Sequence, residues 1–323
     1  MVIICTCSKS NFMKKVLITG VAGFIGFHLA KKLIKNKFKV VGIDNLNNYY
    51  DVNLKKKRLK SLKKISIYIE DINNYSNLEK IFKKHSPDIV INFAAQAGVR
   101  YSLKYPKKYL NTNILGFFNV LELSKKYKVE HFIFASSSSV YGNNKKIPFD
   151  ENQDTSKQTN IYGVTKKANE LMAHSYSYLY NLRCTALRYF TVFGPWGRPD
   201  MALFSFVKNI LKNKHIKVYN NGNMLRDFTY IDDAINSTFS LIKKKYIKKN
   251  NKVPFEMLNI ANSKPVKLLD FIKLIEKNLN KKAKIKFENR LKTEIKITHA
   301  DTKKLTRSIK IFKKTNLNHG IKK

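Results

Sequence analysis

The chain has 323 residues, long enough for two domains or for one large domain with a smaller lobe. With 43% hydrophobic residues it can bury a sizeable core, which excludes a disordered chain. No apolar run approaches the roughly 18 to 20 residues that span a bilayer, which excludes membrane insertion by a helix. Its 63 basic and 22 acidic residues leave a net charge of +41, but the excess is mostly lysine spread over every segment. A nucleic-acid surface would gather arginine into a stripe interleaved with aromatics. The pattern reads instead as solvated lysine faces that steer an anionic substrate, with no specific nucleic-acid partner.

Residues 1–12 carry neither a basic n-region nor a small-residue cleavage site, so they read as a disordered or mis-called extension and not as a signal peptide. The folded unit is expected to begin at Met13. The three cysteines, Cys5, Cys7 and Cys184, assemble neither a disulfide framework nor a zinc set, which points to a cytoplasmic protein without a metal.

Short apolar runs then alternate with amphipathic stretches. Strands are expected at 16–18, 40–43, 66–69, 89–93, 131–134 and 184–187. Helices are expected at 25–35, 78–84, 113–126 and 162–180, the third with Leu115, Phe118, Leu121 and Leu123 among its apolar positions. Strands apolar on both faces and separated by helices predict an α/β fold, a Rossmann-type doubly wound parallel sheet. After Tyr189 the rhythm loosens into a loop, Gly194-Pro195-Trp196-Gly197-Arg198-Pro199, and shorter elements. The expected division is a dinucleotide-binding domain over 13–190, joined by parts of 228–262, and a smaller substrate-binding lobe over 191–323.

Gly20, Gly23 and Gly26 lie between the first strand and the first helix. Such a turn needs glycine for tight reversal, for close approach to a pyrophosphate and for helix-to-sheet packing. The anion then sits on free N–H groups at the helix N-terminus. A glycine triplet alone is weak evidence, and here it runs Gly-x-x-Gly-x-x-Gly, one residue longer than the commonest fingerprint. Asp44, 18 residues beyond Gly26, closes the second strand where an acid binds the adenosine ribose diol. A carboxylate there repels the extra phosphate of NADP, so NAD is the expected cofactor.

Tyr162 and Lys166 are four apart at the start of the long helix, which puts both on one face. That pair is common on exposed helices. It gains weight from the run Ser136-Ser137-Ser138-Ser139, which ends a strand where a parallel sheet presents its active-site edge. A neighbouring ammonium is expected to favour the phenolate of Tyr162, whose free pKa of about 10 makes it a poor base at neutral pH. Tyr141 is a rival phenol and reads as a packing residue.

The glycine turn, Asp44, the serine strand and Tyr162-x-x-x-Lys166, in this order, resemble the extended short-chain dehydrogenase/reductase family. The segments Asn92-Phe93-Ala94-Ala95-Gln96-Ala97-Gly98-Val99-Arg100, Gly194-Pro195-Trp196-Gly197-Arg198-Pro199-Asp200 and Arg226-Asp227-Phe228-Thr229-Tyr230 narrow the resemblance to its UDP-glucuronate 4-epimerases. The likeness runs from Met13 nearly to the end. It implies that Gly20, Gly23, Phe24, Ile25, Gly26, Ala94 and Ala95 surround NAD, that Asp71 and Ile72 border the adenine, and that Asn113 lies near the cofactor. It also implies that Ser137 shares the substrate proton with Tyr162, and that Ser138, Thr191, Tyr219 and Arg226 bind the UDP-sugar, Arg226 through a phosphate. Arg198 is the candidate for the sugar carboxylate, since a guanidinium fork suits a carboxylate. A homodimer through the helices around 113–126 and 162–180 follows from the same resemblance.

The implied mechanism removes the proton of the sugar 4-hydroxyl through Tyr162 as hydride leaves C4. The 4-keto sugar turns in the pocket and takes the hydride back on its other face, so NAD is regenerated each cycle. Two departures stand out. Leu291-Lys292-Thr293-Glu294 replaces the family's Pro-Gly-Asp, leaving the role of Arg290 open, and the chain stops at Lys323 inside what should be its final helix. UDP-glucose 4-epimerase and UDP-glucuronate decarboxylase are the nearest alternatives. The family's 4,6-dehydratases resemble Asp-Glu where this chain has Ser138-Ser139, and so are disfavoured. A non-catalytic NAD- or RNA-binding protein is the alternative of a different class.

Overall fold

The computed structural model describes residues 13–247, 252–289, 295–310 and 314–323. The expectations for residues 1–12, for Arg290 and for 291–294 therefore lie outside the described residues.

The first half alternates strand and helix. The strands are β1 (Lys15–Thr19), β2 (Lys39–Asp44), β3 (Ile65–Ile69), β4 (Ile89–Asn92), β5 (His131–Ser137) and β6 (Cys184–Tyr189). Between them lie α1 (Phe24–Lys35), α2 (Val52–Ser61), α3 (Tyr75–His85), α4 (Val99–Lys104), α5 (Pro106–Tyr109), a π-helical turn (Leu110–Gly116), α6 (Phe117–Lys126) and α7 (Ile161–Tyr180). The second half adds β7 (Thr191–Phe193), α8 (Ala202–Leu211), β8 (His215–Tyr219), β9 (Leu225–Tyr230), α9 (Ile231–Lys243) and β10 (Phe255–Ile260). It ends with β11 (Pro265–Lys267), α10 (Leu268–Leu279), β12 (Lys284–Glu288), α11 (Lys303–Ser308) and α12 (Leu317–Lys322).

Among the described residues, seven strands form one sheet in the order β10-β6-β5-β4-β1-β2-β3, and every pairing in it is parallel. The pleat sends alternate side chains to opposite faces. Val16 and Ile18 therefore pack with Phe27, Ala30 and Leu33 of α1 and with Ala234 and Ile235 of α9. Leu17 packs on the other face with Leu78 and Phe82 of α3 and with Val120 and Leu121 of α6. Burial on both faces explains why these strands read as unbroken apolar runs.

The chain crosses from β3 at one edge to β4 beside β1, so the order reverses between β1 and β4. The carboxyl ends of strands on either side of such a reversal leave a crevice. Two late elements return to this body: α9 packs on α1, with Phe239 under Lys32 of α1 and edge-on to Phe38 just beyond it, and β10 pairs with β6. The remaining late strands form a β11-β9-β7 sheet and a β12-β8 pair. Phe228 of β9 stacks on Phe271 of α10 with ring centroids 4.1 Å apart, and both belong to the same apolar core as α1.

Three local differences from the expected pattern matter. Helix α2 was not anticipated. The helix expected over 113–126 begins earlier, and residues 110–116 form a π turn, a feature often found at functional sites. Of its four apolar positions, Leu121 and Leu123 enter the core, whereas Leu115 and Phe118 face outward at 58% and 42% exposure. Among the described residues no helix is long and apolar enough to cross a membrane.

Candidate active site

The crevice at the reversal is a cleft of about 1090 Å³. Its floor is the turn after β1. Gly20 has a φ of +72°, and a Cβ there would lie 2.6 Å from the Ala94 nitrogen of the neighbouring strand end. A Cβ on Gly26 would lie 2.3 Å from the Gly20 carbonyl oxygen. Both positions therefore exclude a side chain for steric reasons. Thr19 ties the two strand ends together, donating to Asn92 Oδ1 at 2.6 Å and accepting from the Ala94 N–H at 3.2 Å. Helix α1 starts with Gly23 as its cap and no side-chain acceptor or acidic residue in the first turn. Its leading amides, with Phe24 and Ile25 beside them, are thus left for an anionic ligand.

Asp44 closes β2 at the rim of the cleft. Its carboxylate accepts from the Ala22 N–H at 3.0 Å and the Leu46 N–H at 2.9 Å. Burial raises its pKa, opposed by these hydrogen bonds and by Lys55 and Arg58. Ile72 lines the cleft, and Ala94 and Ala95 form part of its wall. Asp71 turns its carboxylate to Asn45 at 2.7 Å and to the Asn73 N–H at 2.8 Å, so Glu70 and Asn45, not Asp71, border the cleft at that point. Asn113 is fully buried behind the wall. It accepts from the Gln96 N–H at 2.8 Å and donates to Gln96 O and Thr165 Oγ1 at 3.0 Å. It therefore holds the wall in place and does not line it.

Helix α7 brings the next set. Asn160 caps it through the Gly163 N–H at 2.9 Å, which leaves Tyr162 in the first turn facing the cleft. Ser137, the last residue of β5, lines the cleft with Tyr162 and donates to Ser139 Oγ at 3.2 Å. Burial raises the Tyr162 pKa, and the Ser137 hydroxyl and the Arg198 charge oppose the rise. Lys166, whose charge is expected to favour the phenolate, stands beside the ring. Lys166 Nζ lies 6.0 Å from the Tyr162 ring centroid and donates to Ala135 O at 2.8 Å. Burial lowers the Lys166 pKa to about 8, with Glu170 acting against the fall. Glu170 itself accepts from Ser136 Oγ at 2.7 Å and from both arms of the Arg188 fork at 2.8 Å. Tyr141 is buried, stacked on Phe149 and bonded to Asn259 Oδ1 at 2.7 Å, as expected of a packing residue.

The later segments close the other end. Ser138, Thr191, Arg198, Tyr219 and Arg226 all border the same cleft as the glycine turn. The Arg100 guanidinium lies 4.2 Å from the Tyr219 ring centroid, and Arg226 donates to the Leu225 and Lys296 carbonyls at 2.9 and 3.1 Å. Arg198 is paired with Asp200, and Asp200 also accepts from the Tyr49 hydroxyl at 3.0 Å.

Sequence reasoning missed Tyr49, Lys55, Arg58 and Glu170. Only Glu170 carried a signal, since it repeats the four-residue spacing of Tyr162 and Lys166 along α7. Lys55 and Arg58 lie on the unanticipated α2, where Lys55 donates to Asn47 O at 2.7 Å and Arg58 to Ala22 O at 2.8 Å.

This geometry has close counterparts. The chain is 45% identical over 322 residues to Protein CapI of Staphylococcus aureus, covering 96% of each. It is 41% identical over 324 residues to UDP-glucuronate 4-epimerase 4 of Arabidopsis thaliana, covering 95% of this chain and 74% of that one. The structure of UDP-glucuronic acid 4-epimerase from Bacillus cereus, in complex with UDP-glucuronic acid and NAD, superposes with a TM-score of 0.86. It is 34% identical and the match covers 95% of this chain and 96% of that one. A family model matches residues 16–261, and the chain belongs to the NAD dependent epimerase/dehydratase family.

Proposed function

We propose that the protein is an NAD-dependent UDP-sugar 4-epimerase that interconverts UDP-glucuronate and UDP-galacturonate. The observation that carries the reading is the meeting in one cleft of a glycine turn, a phenol, a serine hydroxyl, and a guanidinium whose charge acts on that phenol. The likeness to the Arabidopsis and Bacillus cereus enzymes supports the uronate.

The residues fit NAD. Gly20, Gly23 and Gly26 let the turn fold so tightly that a Cβ at each would meet neighbouring backbone, and the open amides of α1 suit a pyrophosphate. Asp44 has oxygen lone pairs left for a ribose diol after its two backbone bonds. Ile72 would face the adenine, with Asp71 orienting Asn45 and Asn113 steadying the wall. Bound there, NAD supplies a reversible hydride acceptor. Tyr162 removes and later returns the proton of the sugar 4-hydroxyl, with Ser137 sharing it. Lys166 holds a positive charge beneath the phenol ring. Thr191, Tyr219 and Arg226 would hold the nucleotide diphosphate, and Arg198 and Ser138 the sugar end.

A 4-keto uronate is a β-keto acid, so the site must also retain its carboxylate. Loss of CO₂ needs the breaking bond aligned with the carbonyl π system. Arg198 and the serine strand would hold that bond out of alignment. Arg198→Ala is then expected to lower epimerisation of UDP-glucuronate and to release a UDP-pentose. Unchanged uronate turnover in that variant removes Arg198 from the site.

The general test is incubation with UDP-glucuronate and with UDP-glucose separately, followed by identification of products. Turnover of UDP-glucose alone would replace the uronate reading by that of a UDP-glucose 4-epimerase, with Arg198 kept on Asp200. We infer a cytoplasmic protein, and a homodimer whose support is the exposed apolar residues on the π turn, α6 and α7: Leu115, Phe118, Leu171 and Leu179.

A further inference from the structure

A guanidinium has five N–H donors. In Arg198, Nε donates to Asp200 Oδ1 at 3.0 Å and Nη2 donates to Asp200 Oδ2. Nη2 also lies 3.5 Å from the Tyr49 hydroxyl, which in turn donates to Asp200 Oδ2 at 3.0 Å. The guanidinium rests over the Tyr49 ring, 5.6 Å from its centroid. Among the described residues, the two N–H groups of Nη1 have no protein acceptor. One edge of the fork is therefore held by the protein while the other donors remain for a ligand.

The loop that carries this pair is itself mounted. Arg58 Nη2 donates to the Trp196 and Gly197 carbonyls, and its Nη1 donates to Ala22 O in the glycine turn. Arg198 is thus fixed from below by Arg58 and from the side by Asp200 and Tyr49.

We propose that Asp200 is a positioning residue for carboxylate recognition: it clamps the Nε edge of Arg198 so that the Nη1 donors meet the uronate carboxylate. The inference rests on the reading that Arg198 takes that carboxylate. A free arginine side chain must lose much rotamer freedom to make such a contact. Clamped on Asp200, it loses that freedom before the substrate arrives, which favours binding. Two carboxylates then share one guanidinium on different edges. Against burial, which raises it, the Arg198 charge and hydrogen bond and then the Tyr49 hydrogen bond hold the Asp200 pKa below its ordinary value. A neutral hexose gains nothing from the clamp, so Asp200 sharpens the preference for a uronate.

The test uses the NAD-loaded full chain with Tyr162→Phe as background, so that titrations run without turnover. Kd is measured by calorimetry for UDP-glucuronate and for UDP-glucose, and their ratio is the readout. Asp200→Asn is expected to weaken UDP-glucuronate about tenfold relative to UDP-glucose, the scale of one charge-assisted contact. A purely structural role would weaken both ligands together and leave the ratio alone. An unchanged ratio in Asp200→Asn with a collapsed ratio in Arg198→Ala overturns the clamp and keeps Arg198 as the carboxylate residue. An unchanged ratio in both variants overturns the reading of Arg198 and the clamp with it. Tighter uronate binding in Asp200→Asn makes Asp200 a competitor for the guanidinium and also overturns the clamp. Asp200→Glu, which keeps the charge, carries the same comparison if the asparagine variant does not fold.

Discussion

Burial acts on Tyr162 and Lys166 in opposite senses, raising the phenol and lowering the ammonium, because each shift favours the neutral form. This pair therefore sits in an environment that costs stability while Lys166 is charged. In the folded chain Lys166 gives up its proton near pH 8, against an ordinary value of 10.5. Between these values the unfolded chain binds more protons, so stability rises with pH in that window. For a single group the slope is at most about 1.4 kcal/mol per pH unit. Lys166→Met removes this gain. In urea melts, the stability of the parent minus that of the variant is expected to grow from pH 8 to pH 10. A flat difference would show that the ammonium is not buried as described. At this scale the meeting of Tyr162, Lys166 and Ser137 in one cleft was legible from their order and spacing along the chain. Asp200 was not. It lies two residues from Arg198 in a loop, and nothing in that spacing says the carboxylate turns back on its neighbour.

Among elements, the buried parallel strands were legible because both faces are apolar and the runs contain little else. Helix α2 was not, and the reason is physical. Its sequence, Val52-Asn53-Leu54-Lys55-Lys56-Lys57-Arg58-Leu59-Lys60-Ser61, has no apolar face to detect, and what it buries is Lys55 and Arg58. Asp51 caps it through the Asn53 N–H at 2.8 Å, and its purpose is to deliver polar groups inward. Arg58 is fully buried and bonds the Tyr50 hydroxyl at 2.7 Å besides the three carbonyls of the glycine turn and the Arg198 loop. A helix of this kind acts as a bracket between two loops. Replacing Arg58 by Met leaves those carbonyls without a donor, at a cost of about 1–3 kcal/mol for a buried unsatisfied group. The variant is expected to melt at lower denaturant and to raise KM for the uronate, since the loop bearing Arg198 loses its mount. A parent-like KM in a destabilised variant would mean that Asp200 and Tyr49 hold the loop alone. The π turn was hidden for a related reason: the contacts that Asn113 makes from it, to Gln96 and Thr165, are long-range.

For the molecule as a whole, the charge of +41 sets a condition on any dimer. Two such chains repel, and the repulsion is screened beyond about 10 Å at 0.1 M salt. An association that nevertheless occurs must come from apolar surface where local charge is muted. The outer sides of α6 and α7 meet that description. Leu171 and Leu179 are 60% and 61% exposed, and Phe118 packs edge-on against Tyr176. Several lysines beside them are paired within the chain, Lys125 with Glu122, Lys126 with Glu79 and Lys167 with Glu170. Such an interface has an unusual salt dependence: added salt relieves the repulsion between chains and breaks no ion pair across the contact. Dimerisation measured by sedimentation is therefore expected to tighten between about 0.05 and 0.3 M NaCl. Leu171→Asp adds a desolvated charge at the centre of the face and should leave a folded monomer at every salt concentration. A parent chain that stays monomeric throughout, or a dimer that loosens with salt, would remove this face as the dimer interface. The sequence carried a hint of it, since Leu115 and Phe118 belong to the same apolar periodicity as Leu121 and Leu123. Periodicity alone does not distinguish an apolar side chain that meets its own sheet from one that meets a second copy.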